Sequence, residues 1–517
     1  RDRLRSRGLG DVYKRQTNIK PGPADTFRLR DVRVIAQRPM KIRPKILSRT
    51  LSLEPGQLFT VDAQNRTQTA LNKLGIFRSV NLGVTPLDSL RGADTLDVVI
   101  DAQFDYPLEA ALETDVTSKS NSFIGPGITF KVSNNNLFRG GEVLAVKLNG
   151  SYEWQTGKAS SSLMNSYELG ISTSLIFPRV VFPRMGDREY DFPATTTFRL
   201  YADQMNRAKY YKLLAFGGNV TYDFQPKSTS RHSITPFRLT FNVLRNPTAA
   251  FDTLRAENPA LYVSLRDQFI PAMEYTYTYD NASVRGKRNP IWWQTTVASA
   301  GNLTSAVYRI FGKPFSEEGK KLFGVPFAQF LKLNSEFRYH YRIDKNQMIA
   351  SRIAGGVIWS YGNATTAPYT EQFYIGGANS VRAFSARSIG PGGYPPETDR
   401  KYTYINHVGD IRIEANIEYR FRMIADLHGA VFLDAGNVWL MRKDENRPDG
   451  EFTLKNFPKQ IALGTGFGLR YDLDFLVFRL DLGIGLHDPY DTGKSGYYNI
   501  PKFKDSMALH FAIGYPF

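Results

Sequence analysis

Beyond Pro107 the chain alternates apolar and polar positions with a period of two almost everywhere. The clearest run is 410–421, where Ile411, Ile413, Ala415, Ile417, Tyr419 and Phe421 share one face, and Asp410, Arg412, Glu414, Asn416, Glu418 and Arg420 share the other. Successive Cβ atoms of a strand point to opposite sides, so this is a strand with one apolar and one charged face. A soluble sandwich has no place to bury the second face. In a membrane-spanning barrel the apolar face meets lipid and the charged face lines a wet lumen. Phe337, Tyr339, Tyr341 and Ile343 against Glu336, Arg338, His340 and Arg342 repeat the pattern, and Tyr275, Tyr277 and Tyr279 suit an interfacial aromatic girdle. About sixteen such segments fit into about 410 residues, in the even-numbered range of bacterial barrels. The fold class predicted is mainly β: a sixteen-stranded antiparallel transmembrane barrel over 106–517. Counting sides places the long connections 246–267, 302–325, 362–405, 441–458 and 488–506 at one rim. The 178–193 connection is the exception, being long yet on the rim of short turns.

Upstream the period changes. FRLRDVRVIAQ at 27–37 reads as one strand, Pro44–Leu51 as a short helix broken by Pro55-Gly56, and Val61–Leu74 as a helix stopped by Gly75. Two more strands are expected near 78–85 and 95–104, giving the order β-α-α-β-β in a small domain at 17–105. Residues 1–16 lack the apolar core of a secretory signal; we set them aside as a non-native or disordered extension and expect the natural protein to continue upstream.

Composition narrows the class. The 517 residues include 42 Gly, 28 Tyr and 35 Phe but no Cys, which excludes disulfide and thiol chemistry. Mean hydropathy is −0.34 and no apolar run is long enough for a membrane helix. The net charge of +17 is spread over strands and loops, apart from six basic and two acidic residues within 1–16, so nucleic acid is not an expected partner. No Gly-x-Ser-x-Gly elbow, His-Glu-x-x-His or Walker A loop occurs, and the six His residues pair with no Ser and acid in sequence. The expectation is a protein with no catalytic residue, metal or cofactor. Gly464-Thr465-Gly466-Phe467-Gly468 superficially suggests a nucleotide loop but lacks the strand-turn-helix context.

One connection stands apart. FYIGGANSVRAFSARSIGPGGY, 373–394, is too polar and too rich in Gly and Pro for a membrane strand, and Arg382 and Arg387 give it fixed charge. Such a loop is built to fold inward. Val381-Arg382-Ala383-Phe384 resembles the VRGF/VRGY loop signature of the BamA, TamA and FhaC superfamily of outer-membrane insertases and secretion pores. Ala383 replaces the usual Gly, which argues against a positive φ there. GAVFLDAGNVW at 429–439 resembles the family's FxDxG strand, with Phe432, Asp434 and Gly436 on one face. The glycine-rich 464–486 hairpin, the LHFAIGYPF ending and the run PGQLFTVDAQNRTQTALNKLGIFRSVNL, which is similar to a POTRA domain, extend the likeness.

The resemblance implies that Arg382 enters the barrel and pairs with Asp434, as a registration device rather than a source of net stability; Glu418, on the charged face of the preceding strand, is a second candidate partner. The resemblance also implies a site in the bacterial outer membrane with the POTRA domain in the periplasm, no chemical turnover, and unfolded outer-membrane or secreted clients as partners. Outer-membrane lipid, lipopolysaccharide and periplasmic or inner-membrane accessory proteins complete the expected partner set. Insertion of clients would use strand addition at the POTRA edge and a lateral seam between first and last strands; a secretion channel or passive pore is the alternative. Gly514, Pro516 and Phe517 mark that seam and an aromatic-ended assembly signal. Pro516 has no N–H to donate, so strand 509–517 is expected to pair with 108–117 in its middle and fray at its end.

Overall fold

The computed structural model describes residues 24–29, 32–37, 41–86, 95–118, 123–155, 165–182, 194–207, 211–245, 248–249, 266–282, 284, 287–385, 387–395, 407–473 and 477–517. The expectations for 1–16 therefore lie outside the described residues.

The N-terminal unit contains β1 (Ala24–Leu29), β2 (Val32–Gln37), α1 (Pro44–Thr50), α2 (Val61–Lys73), β3 (Phe77–Pro86) and β4 (Leu96–Phe104). The single strand expected over 27–37 is two: β1 and β2 pair antiparallel, Leu29 opposite Val32 and Phe27 opposite Val34. The sequence carries the reason, because the apolar positions change phase between Leu29 and Val32, as they do when a chain doubles back. Thr60 caps α2 by accepting from the Ala63 N–H, and Gly75 ends it at φ 66°. Leu71 of α2 and Leu74 just after it pack with Ile42, Ile76 and Val80 into a small apolar core.

The rest is one antiparallel sheet of sixteen strands. In chain order these are β5 (Leu108–Ser118), β6 (Phe123–Asn134), β7 (Val143–Gln155), β8 (Asn165–Phe177), β9 (Ala194–Arg207), β10 (Tyr211–Lys227), β11 (Ser230–Arg245), β12 (Gln268–Asp280) and β13 (Ile291–Ala300). After α3 (Asn302–Ile310) and the miniature hairpin of β14 (Lys321–Leu322) and β15 (Val325–Pro326), the sheet resumes with β16 (Phe330–Arg342) and β17 (Gln347–Ser360). It ends with β18 (Ile411–Ile424), β19 (Leu427–Trp439), β20 (Ala462–Asp472), β21 (Val477–His487) and β22 (Met507–Ile513). Each strand pairs with its sequence neighbours in the sheet, which rolls into a barrel.

Burial follows the alternation. Along β18, Glu414, Asn416, Glu418 and Arg420 are buried while Ala415, Ile417 and Tyr419 are exposed. That is a lumen face and a lipid face. The aromatic girdle includes Tyr277 against Trp293, ring centroids 5.6 Å apart.

The N-terminal unit docks on the β6–β7 turn. The Arg43 N–H donates to the Arg139 carbonyl at 2.8 Å, Asn136 Nδ2 donates to the Lys41 carbonyl at 2.6 Å, and Arg43 Nη2 meets the fully buried Glu142 at 2.5 Å. Arg179, at the start of the anomalously long 178–193 connection, reaches the same carboxylate at 3.1 Å. The strand count thus holds at that turn, and its described part joins the barrel wall to the docking point; 183–193 lie outside the described residues.

The two ends of the sheet differ from the expected seam. Among the described residues no ladder joins β5 to β22, in the middle or at the end. β22 stops at Ile513, Gly514 turns at φ 81°, and Pro516 and Phe517 are buried instead of continuing the wall. Arg420 Nη2 donates to the Phe517 carbonyl at 3.2 Å, and the Arg352 guanidinium lies 5.6 Å from the Phe517 ring. The cause is that the last residues find cations on the lumen faces of β17 and β18, which hold them better than an unmatched strand edge.

Candidate functional site

The β17–β18 connection enters the barrel and packs its apolar residues against those of the walls. Phe373, Ile375, Val381 and Ile389 from this connection pack with Phe330, Ile358, Val438 and Ala462 from the walls, with Phe384 against the edge of the cluster. Gly376 and Gly377 turn at φ 97° and 95°, and the Gly377 N–H closes the turn on the Phe384 carbonyl at 2.8 Å. Ala383 is not among the residues with positive φ, so the departure from Gly costs no backbone strain.

This turn points Arg382 into the wall of β18 to β21. Its Nε and Nη2 donate to the two oxygens of Asp434 at 2.8 and 2.9 Å, a bidentate pair, and its backbone N–H adds a third bond at 3.1 Å. Nη1 bonds Glu418, and the guanidinium lies 3.5 Å from the centroid of the Phe432 ring. Arg382, Glu418, Asp434 and Phe432 are all buried. Structure thus brings together the loop, its two carboxylates and the FxDxG strand. Gly436, two residues on, holds the backbone of Ile413 so close that a Cβ would lie 2.8 Å from its carbonyl oxygen.

Several charges escaped sequence reasoning. Arg470 donates to Glu418 at 3.2 Å and pairs with Asp481 at 2.8 Å; Arg479 pairs with Asp481 at 3.4 Å; Arg420 donates to Glu418 at 2.7 Å. Four guanidiniums, from Arg382, Arg420, Arg470 and Arg479, thus face three carboxylates, from Glu418, Asp434 and Asp481. Alternation held the signal: Arg470 shares a strand face with Gly466 and Gly468, and Arg479 and Asp481 share one with Gly483. His510 of β22 contacts the Arg382 carbonyl at 2.7 Å, tying the last strand to the loop.

The glycines of β20 and β21 make room for this docking. A Cβ on Gly483 would lie 2.4 Å from the Arg382 carbonyl oxygen, and one on Gly464 2.3 Å from the Ala383 Cβ. Only a bare backbone lets the loop lie this close.

A second anchor lies across the lumen. Glu371 accepts from Arg238 of β11 at 3.0 Å and from Lys332 of β16 at 2.9 Å. Burial pushes its carboxyl up, but Lys332 and Arg238 outweigh that and hold it below the usual carboxylate range.

Phe517 meets the same charged wall through Arg420 and Arg352, while Gly514 turns the chain and Pro516 is buried beside it in sequence. Among the described residues no cluster of His, Cys, Asp and Glu has the geometry of a metal site.

The Omp85 superfamily domain matches residues 136–517. The outer membrane protein assembly factor BamA of Nitratidesulfovibrio vulgaris is 28% identical over 204 residues, which are 38% of this chain and 22% of that protein, so the match spans only about a fifth of the relative's length. Among solved structures, BamA from Haemophilus ducreyi lacking POTRA domains 1–3 aligns at a TM-score of 0.59 and 13% identity over 95% of this chain and 90% of that one, a likeness of fold alone. CdiB from Acinetobacter baumannii aligns at a TM-score of 0.46 and 14% identity over 91% of this chain and 71% of that one.

Proposed function

Because the chain belongs to the Omp85 superfamily, we propose that it acts in a bacterial outer membrane as a protein insertion and translocation factor of the BamA/TamA kind. The observation that carries this reading is that β5 and β22, the two ends of the sixteen-stranded sheet, share no ladder among the described residues. Unpaired N–H and C=O groups facing lipid cost several kcal/mol each, so such a seam gains by accepting a client strand. β22 is only seven residues long, and the chain leaves it at Gly514. Pro516 offers no donor with which to prolong it.

In this reading Arg382, with Asp434 and Glu418, registers the loop against β18 and β19, so that Val381 and Phe384 plug the lumen beside the seam. The N-terminal unit acts as a POTRA domain in the periplasm, offering a strand edge to unfolded outer-membrane or secreted clients by β-augmentation. No covalent chemistry or cofactor is involved. Outer-membrane lipid, lipopolysaccharide and accessory proteins of the periplasm or inner membrane would be the other partners. The secretion-channel or pore reading routes its substrate through the lumen instead, and the loop docked there weighs against it.

The absence of native Cys makes the test direct. Leu112→Cys paired with Leu509→Cys would close the seam on oxidation in proteoliposomes. Loss of client insertion on oxidation, recovered by reductant, is the expected result. Undiminished insertion by the locked protein, together with single-channel conductance, would turn the assignment to the pore.

A further inference from the structure

The helix α3 is amphipathic the wrong way round for a water-soluble protein. Leu303, Val307, Ile310 and the following Phe311 recur at helical spacing on one stripe, the stripe that packs inward in a soluble domain. Here it points outward: Leu303, Ile310 and Phe311 are 64%, 81% and 80% exposed. The polar face is the docked one. Ser305 is fully buried and donates to Gln329 Oε1 at 2.9 Å, and Asn302 donates to Ser299 Oγ at 2.9 Å while accepting from the Tyr361 hydroxyl at 2.7 Å. Gly301, at φ 68°, sets the entry angle, since a Cβ there would lie 2.2 Å from the Ala328 carbonyl oxygen. Hydrogen bonds and a steric constraint therefore fix the helix with its apolar side out.

The neighbouring surface identifies what covers that side. α3 leaves the rim directly from β13 and the chain returns into β16; the outward Val297 of β13 and Leu331 and Leu333 of β16 belong to the lipid-facing wall. Ring contacts run along the same outer wall from Phe216 to Phe241 at 5.0 Å, to Phe269 at 4.3 Å, and on to Phe323 at 6.0 Å. Phe323, at the tip of the β14–β15 hairpin, is 84% exposed. The stripe and Phe323 thus extend a surface that lipid already covers. Arg309 in the last turn of α3, and Lys313 just beyond it, stand where cations reach headgroups.

We propose that α3 and Phe323 seat in the outer leaflet of the membrane, at the rim opposite the N-terminal docking point, as an interfacial anchor with acyl chains against the apolar stripe and phosphate headgroups against Arg309 and Lys313. The anchor holds the β13–β16 side of the wall in lipid, away from the β5–β22 seam. It stands on the barrel fold and does not depend on the insertion reading.

Single cysteines test it in the full chain: Ile310→Cys and Phe311→Cys on the stripe, and Leu454→Cys, 83% exposed in the β19–β20 connection at the same rim, as control. Each carries an environment-sensitive fluorophore, in vesicles of phosphatidylethanolamine and phosphatidylglycerol with doxyl-labelled acyl chains. The expected result is a blue-shifted emission and loss of fluorescence to the doxyl groups at 310 and 311, with neither at 454. Emission at 310 and 311 that is water-like and quenched by aqueous iodide as at 454 overturns the proposal. So does energy transfer between labelled copies without doxyl quenching, which assigns the stripe to a second copy of the chain. Should a label at 310 or 311 prevent folding, read by heat-modifiable mobility, Val307→Cys on the same stripe gives the same reading.

Discussion

The two halves of the barrel wall share an outer face and differ in the inner one. From β6 to β12 the buried polar residues of the lumen face are uncharged, among them Thr129, Ser133, Ser172, Thr235 and Asn242. They satisfy one another across strands, as Thr221 does with Thr235 at 2.9 Å, Tyr201 with Thr240 at 2.6 Å and Thr276 with Thr296 at 2.9 Å. From β17 to β21 the same positions hold Arg352, Glu414, Glu418, Arg420, Asp434, Arg470, Arg479 and Asp481, all buried. A buried charge is tolerable only with a partner, whereas a hydroxyl needs one neighbour or a water. The hydroxyl-lined half satisfies its buried groups within the wall and touches the loop through Arg238 and Glu371. The charged half needs the loop, because Arg382 supplies the cation that Asp434 faces. Alternation makes a wall; the inner composition decides whether it is a liner or a socket.

Removing Arg382 should break this contrast most. Arg382→Ala leaves Asp434 and Glu418 buried around the missing guanidinium and should cost about 3–5 kcal/mol. Thr235→Val in the neutral half breaks one hydroxyl bond and should cost about 0.5–1.5 kcal/mol. Urea titration of protein refolded into vesicles measures both, and equal losses would erase the distinction between socket and liner. Combining Arg382→Ala with Asp434→Ala should cost less than the sum of the two, since both report one interaction. Simple additivity would mean that the pair contributes nothing as a pair.

On the outer face the halves should behave alike. Ile417→Arg in β18 and Leu200→Arg in β9 each place a charge on an exposed apolar position near mid-strand, and each should cost about 2–4 kcal/mol in lipid. A large difference between them in the same titration would mean that one half does not face lipid.

The smallest effects concern glycines. Gly483→Ala puts a methyl against the Arg382 carbonyl and should lift the loop at a cost of about 1–3 kcal/mol, seen as faster proteolysis between 361 and 410. Gly150→Ala in β7 meets only the Leu169 side chain at 3.5 Å and the Ile128 side chain at 3.8 Å, and should leave digestion unchanged. Equal digestion of the two variants would show that β21 does not support the loop.

Much of this was legible in the residues, though unevenly. The face of each residue could be read along 410–421, because the alternation of Cβ is a property of the local backbone. The Arg382, Asp434 and Glu418 constellation was legible through motif resemblance. Arg470, Arg479 and Asp481 sat on the right face of their strands, but nothing local says which inward charges meet. The phase change between Leu29 and Val32 was present in the sequence and marked a hairpin that a single strand could not explain.

What the sequence determined by itself was periodicity, and hence sheet, lumen face, lipid face and the inward-folding loop, since each depends on neighbours one to four residues apart. Tertiary structure alone decided the rest: that Arg382 meets carboxylates 36 and 52 positions away, that α3 turns its apolar stripe outward, and that β5 and β22 share no ladder among the described residues. These depend on how a curved wall closes and what fills it, so they arise from contacts between distant residues that no local pattern encodes.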